Sequence, residues 1–355
     1  MRVCVLGGCV VAAAAHSNLI YPKPRNAIDS LLPGWKNGTA PYAWQPYGDP
    51  PCGCTNGTEA CESAQTCLWF SVGCSIGCDT CDGGAQGTAN PSAKDRCPGV
   101  NPHKKVATIN DPLHRTINRD AQAGSDADWT RFNPWRAPGS APVYDPCGRA
   151  SGGPHETGGH GEFTNTSYAV VGSMGSKLPK FPSGAVWKAG SVVETMWSLR
   201  ANHGGGYQYR LCPLNSELTE ACMQETPVPF AENSKLMLGN GTMMTLNSTF
   251  VSEGTLPAGS TWQMNPIPGY VVRNHGGWNC CKRWFEPPCD DAQSLNPPQQ
   301  LSQGLCSGEW LTKVTTYDYL RIPEHLEPGE YVLGFRYDCE ASAQVWQSCS
   351  DVTIV

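Results

Sequence analysis

Charge is scarce in this chain, and none of it is gathered into a basic run. Asp, Glu, Lys and Arg make up 16% of the 355 residues, with a formal net charge of −6. Nucleic acid and anionic membrane surfaces are therefore poor partners, because both call for a concentrated positive footprint. Long apolar runs are missing as well: no stretch reaches the roughly 20 residues that cross a bilayer. Helical periodicity is rare, and "DPLHRTINRDA" (111–121) is the best short candidate. No convincing Asp/Glu pair is present, which argues against glycoside hydrolysis by general acid and base. Linkers, internal repeats and low-complexity tracts are absent too, so nothing divides the chain into separate domains.

What is present points to an exported, β-rich protein. Gly and Pro number 39 and 30, which makes many turns, while 12 Trp, 12 Tyr and 8 Phe supply ample surface to bury. Residues 1–15 read as a secretory signal peptide: Arg2, an apolar stretch from Val3 to Val11, then Ala13-Ala14-Ala15 as a small-residue cleavage pattern. Of the 19 cysteines, Cys4 and Cys9 belong to that leader and 17 remain. Eight of those fall between Cys52 and Cys97, a density suited to disulfides in an oxidising compartment. Sequons at Asn37, Asn56, Asn165, Asn240 and Asn247 fit the same secreted, glycosylated destination. The expected organisation is one domain over 16–355, with a cysteine-rich insertion at about 50–100.

Strand periodicity defines the fold class. In "SVVETMWSL", Val193, Thr195, Trp197 and Leu199 share one face; "GYQYRLC" sets Tyr207, Tyr209 and Leu211 against Gln208 and Arg210. "EYVLGFRYD" alternates in the same way, and "AQVWQSCSDVTIV" is a last strand. Strands punctuated by Gly, Pro and Asn, without long helices between them, predict an all-β, immunoglobulin- or fibronectin-III-like antiparallel β-sandwich with long disulfide-stapled loops.

Three apparent motifs are set aside on physical grounds. "GCSIG" (73–77) matches the nucleophile-elbow pattern, but Ser75 sits among cysteines with no strand feeding a helix. "HETGGH" spaces His155 and His160 five apart, one more than a helical zinc pair needs. Cys74, Cys78 and Cys81 are better read as disulfide partners than as metal ligands.

His16 is different, because its position creates chemistry. Cleavage after Ala15 would leave its α-amine and its imidazole on one residue, able to chelate a single metal ion. A second imidazole would complete three nitrogens, a set that suits Cu(II). His203, in "ANHGGGYQYRLCP", is the natural second ligand: it follows one strand, precedes the next, and has glycines behind it.

These segments resemble a known family. "HSNLIYPKPRNA" is similar to the H-x5-P-x2-R start of mature lytic polysaccharide monooxygenases of the chitin-binding type-4 kind. "ANHGGGYQYRLCP", "PGEYVLGFRYD" and "AQVWQSCSDV" resemble, in order, the second-histidine segment and closing strands of auxiliary activity family 15. Residues 30–160 do not align to the best-known members. The resemblance implies a copper brace of His16 and His203, with Ala201 crowding one axial side and Trp346 standing at the other. Gln344 matches a polar residue near the metal, and period-two geometry puts it on the same strand face as Trp346. Trp346 departs from the usual Tyr or Phe; indole has an N–H donor but no lone pair, so it could shield the metal without ligating it.

The implied activity is secreted, copper-dependent oxidative cleavage of chitin or cellulose by a monomer that draws on an external electron donor. Trp35, Tyr42, Trp44 and Tyr21 are candidates for stacking on sugar rings. Two other readings stand beside it: a histidine-brace protein that carries copper without attacking sugars, and a carbohydrate-binding cell-wall module.

Overall fold

The computed structural model describes residues 16–36, 64–72, 139, 143–152, 163–201, 205–238, 241–252, 255–266, 314–339 and 344–355. Two sheets dominate. The smaller is built from β1 (His16–Tyr21), β5 (Val192–Ala201), β12 (Val314–Arg321), β8 (Lys235–Leu238) and β9 (Met243–Thr245), in that spatial order. The larger runs from β10 (Phe250–Val251) through β11 (Trp262–Met264), β6 (Gly205–Pro213), β13 (Gly329–Cys339) and β14 (Gln344–Ile354). It continues to β2 (Trp69–Val72) and β3 (Arg149–Ala150), while β7 (Pro227–Val228) pairs with β6. Among the described residues, pairing is antiparallel except where β4 (Pro182–Trp187) runs parallel beside the end of β14. The chain is thus an all-β antiparallel sandwich, and the four strands read from periodicity are β5, β6, β13 and β14.

Side chains two apart along each strand fill the space between the sheets. Trp197 and Leu199 of β5 meet Tyr207, Tyr209 and Leu211 of β6 and Leu333, Phe335 and Tyr337 of β13. The rings interlock, with Trp197 4.5 Å from Tyr207 and 5.5 Å from Phe335 between centroids. Each such side chain contributes about 1.5–3 kcal/mol by leaving water.

The other face of the larger sheet is buried as well. Gln208, Arg210, Arg336 and Gln347 have no exposed surface. The short helix Glu220–Glu225, tied to β6 by the Cys212–Cys222 disulfide, lies over this face and sets Met223 against Gly334. Charges stay there because they are paired: Arg336 grips Asp338 at 2.7 and 2.9 Å and reaches Glu220 at 2.8 Å, and Arg210 also bonds Glu220. Burial alone would raise the Glu220 carboxyl, but the two guanidinium groups outweigh it and hold the group below its ordinary value.

Beyond the cysteines of the insertion, a second staple joins distant chain. Cys147 and Cys349 are bonded across 202 residues, fastening the 143–152 segment to the middle of β14. Cys67 is also disulfide-bonded. The helix candidate at 111–121 and most of the cysteine-rich insertion lie outside the described residues. No described helix is long and apolar enough to cross a membrane.

Candidate functional site

The segment that opens at His16 is an edge strand held from two sides. On one side β1 pairs with β5, matching His16 with Ala201, Ser17 with Leu199 and Leu19 with Trp197. The register shifts between His16 and Ser17, an irregularity of the kind that re-aims a strand end. On the other side, contacts with β14 run in step along both chains. The Leu19 N–H donates to Ser348 Oγ at 3.4 Å, and Ser350 Oγ donates to the Pro22 carbonyl at 2.6 Å. The two segments therefore advance in the same direction. His16, three residues before Leu19, is level with the start of β14, where Gln344 and Trp346 stand two to four residues before Ser348.

The Pro and Arg of the opening motif have structural jobs. After Pro22 the chain turns into a 3-10 segment, Arg25–Leu31, that packs along β14. Arg25 Nε donates to both carboxylate oxygens of Asp351, at 2.9 and 3.1 Å, with side-chain exposures of only 5% and 14%. Asn26 accepts from the Cys349 N–H at 3.1 Å and donates to the Cys147 carbonyl at 2.9 Å. Asp29 accepts from Gln65 and Thr166, which ties the segment to its far side as well. These bonds fix where residue 16 begins its strand.

The β5–β6 corner joins the two sheets. Ala201 ends β5 opposite His16, and Gly205 opens β6 opposite Cys339 of β13. Gly205 has φ +101°, a conformation open to glycine at little cost, and its carbonyl accepts from the Asn265 N–H at 2.9 Å. Residues 202–204, His203 among them, lie outside the described residues, as do the side chains of His16 and Ala201.

β14 supplies the remaining candidates. Gln344 is 5% exposed and pairs with Val72; Trp346 is fully buried and pairs with Tyr337 on one side and Phe70 on the other. The Trp346 and Phe70 rings lie 4.4 Å apart, inclined by 36°. Phe70 is held in turn by Gly152, at φ +78°, where an added Cβ would sit 1.9 Å from the phenyl ring. Trp346 is thus part of the core between the sheets, and Gln344 continues its face toward the strand end.

One end of the sandwich therefore gathers the backbone of His16 and Ala201 with Gln344 and Trp346. Phe70 and Asp351, the groups that position Trp346 and Arg25, carry no signal in the sequence. Phe70 sits in a four-residue strand bounded by segments with no clear period, and nothing in the chain near Asp351 announces a partner 326 residues away. Ser75, Cys74, Cys78, Cys81, His155 and His160 lie outside the described residues. So do Tyr42, Trp44, Asn37, Asn56 and Asn240, whereas Tyr21 and Trp35 are half-buried and Asn165 and Asn247 are exposed. Among the described residues, no group of three or more His, Cys, Asp or Glu side chains converges on a metal position.

No protein-family model matches this chain, and no curated protein matches it. Among solved structures it is similar to a lytic polysaccharide monooxygenase AA15 from Thermobia domestica in the Cu(I) state, at 14% identity and a TM-score of 0.23. That match covers 48% of this chain and 62% of that one. An AA10 lytic polysaccharide monooxygenase from Streptomyces lividans is similar at 12% identity and a TM-score of 0.22, over 49% of this chain and 59% of that one. A chitin-binding domain from Burkholderia pseudomallei is similar at 11% identity and a TM-score of 0.31, over 96% of this chain and all of the other.

Proposed function

We propose that this protein is a secreted, copper-dependent polysaccharide monooxygenase acting on chitin or cellulose. The observation that carries the reading is the pairing of His16 with Ala201, two residues before His203. Adjacent Cα atoms are about 3.8 Å apart, and paired antiparallel residues about 4.5–5.5 Å. Chain connectivity alone then keeps residues 16 and 203 within about 13 Å of each other, Cα to Cα.

The donor set fits copper. Two imidazoles and the α-amine freed by cleavage before His16 give three nitrogens, which suit Cu(II) better than they suit hard cations. When bound and reduced by an external electron donor, copper supplies the activation of O2 or H2O2 needed for oxidative attack at a glycosidic carbon. The chain's own residues do the rest. His16 and His203 hold the ion, and Arg25, Asn26 and Ser348 fix the strand that presents His16. Trp346 and Phe70 wall the side facing the core against water, with Gln344 offering a polar group beside it.

The test is the release of oxidised oligosaccharides from chitin and from cellulose, with copper and ascorbate, by secreted protein whose N-terminus has been sequenced. Expected are a start at His16, one copper bound per chain and oxidised products from one of the two polymers. Loss of both copper and products in His203→Ala completes the pattern. Stoichiometric copper without products from either polymer overturns the enzyme reading in favour of a copper carrier. That second reading is favoured by one observation, the buried Trp346 indole, which has no lone pair for the metal.

A further inference from the structure

Asp318 lies on the inward face of β12 and has no exposed surface. A core carboxylate ordinarily takes an arginine or lysine; among the described residues none bonds to this one. Its oxygens accept instead from four neutral donors. Trp197 Nε1 and Tyr209 OH reach Oδ2 at 3.0 and 2.8 Å, Tyr207 OH reaches Oδ1 at 2.9 Å, and Ser234 Oγ also donates to Oδ1. Trp197 and Asp318 belong to the smaller sheet, Tyr207 and Tyr209 to the larger, so this one carboxylate bridges both.

The groups facing it can be named element by element. β5 gives Trp197 and Thr195, whose hydroxyl donates to the Asp318 main-chain carbonyl at 3.4 Å. β6 gives the two tyrosines, and Ser234 stands just before β8. Behind Ser234 lies Gln263 of β11, with Oε1 3.0 Å and Nε2 2.7 Å from the hydroxyl oxygen. Only the tyrosines titrate. Burial first, and then the Asp318 charge, hold both phenols well above their ordinary value, so they stay neutral donors.

Ser234 is the adaptable member, because a hydroxyl both donates and accepts and its proton rotates. With Asp318 ionised, Ser234 donates to Oδ1. With a solvent proton bound at Oδ1, the new O–H donates to Ser234 Oγ, whose own proton turns to Gln263 Oε1. Asp318, Ser234 and the Gln263 amide N–H keep a partner in both states, and the Gln263 carbonyl gains one on protonation, so one proton is taken up with no bond between the sheets given away.

We propose that Asp318, Ser234 and Gln263 form a clamp that joins the two sheets and exchanges one proton with solvent. Burial sets the range of that exchange, since it disfavours the charged form and raises the Asp318 carboxyl from 3.8 to about 6 against the opposing hydrogen bonds. A folded-state value above the unfolded one means that the native protein holds the proton more tightly. The resulting stability is fully present below about 3.8 and is lost as pH rises through about 6.

Infrared titration of the full chain reads the clamp directly, through the carbonyl stretch of a protonated carboxylic acid. A band that grows with a midpoint near 6 and is missing in Asp318→Asn is the expected result. A band that persists in that variant, or no acid band above about pH 5, overturns the proposal. Should Asp318→Asn fail to fold, Ser234→Ala provides the second arm: the wild-type midpoint must move in it, and an unmoved midpoint removes Ser234 from the device.

Discussion

An indole packed 4.4 Å from the Phe70 ring cannot turn outward without emptying the space between β14 and β2. For Trp346 this makes packing and any role beside a metal inseparable. Truncation to alanine leaves a cavity and is expected to cost about 3–5 kcal/mol in urea denaturation. Trp346→Phe keeps most of the volume and should cost well under half as much. An alanine variant as stable as the parent would mean that the ring is not part of the core. Asp318 teaches a complementary lesson at the same scale. A carboxylate surrounded by donors on an inward strand face looks, in sequence, like a break in the apolar alternation of "VTTYDYLR", and that is why β12 gave no strand signal.

Among the elements, β1 depends most on contacts outside itself. It is short, lies at a sheet edge, and is held to β14 by the segment that follows it. Arg25→Ala removes the cation from a nearly buried Asp351, whose Oδ2 would keep only the Phe181 N–H at 2.9 Å among its described partners. Stripping one member from a buried ion pair costs about 3–5 kcal/mol. The low end is expected here, read as a shifted denaturation midpoint. Copper affinity at the proposed site should fall with it, because β1 then loses the anchor that sets where His16 begins. Unchanged affinity in a destabilised variant would separate the anchor from the proposed site. β5, β6, β13 and β14 behave differently: their alternation is strong enough to be read from the chain, since each buries one face against the other sheet.

At the scale of the whole molecule, the sandwich is closed by links between very distant residues. Cys147–Cys349 spans 202 residues, so replacing both cysteines with serine frees a long loop in the unfolded chain. Loss of about 2–5 kcal/mol is expected, seen as a lower melting temperature. A variant that melts with the parent would show that the fold holds the two segments together unaided. The sequence by itself determined the strand periodicity, the cysteine-rich character suited to an oxidising compartment, and the two histidine segments that suggest copper, because these are carried by residues a few positions apart. Tertiary structure alone decided that the polar faces of β6 and β13 are buried under the helix Glu220–Glu225, and that Trp346 belongs to the core. It also decided that the strand opening at His16 runs in step with β14. The bond between Leu19 and Ser348 spans 329 residues, and no local preference of either segment specifies a partner that far away. Such pairings are settled only when the sheets close on a common core.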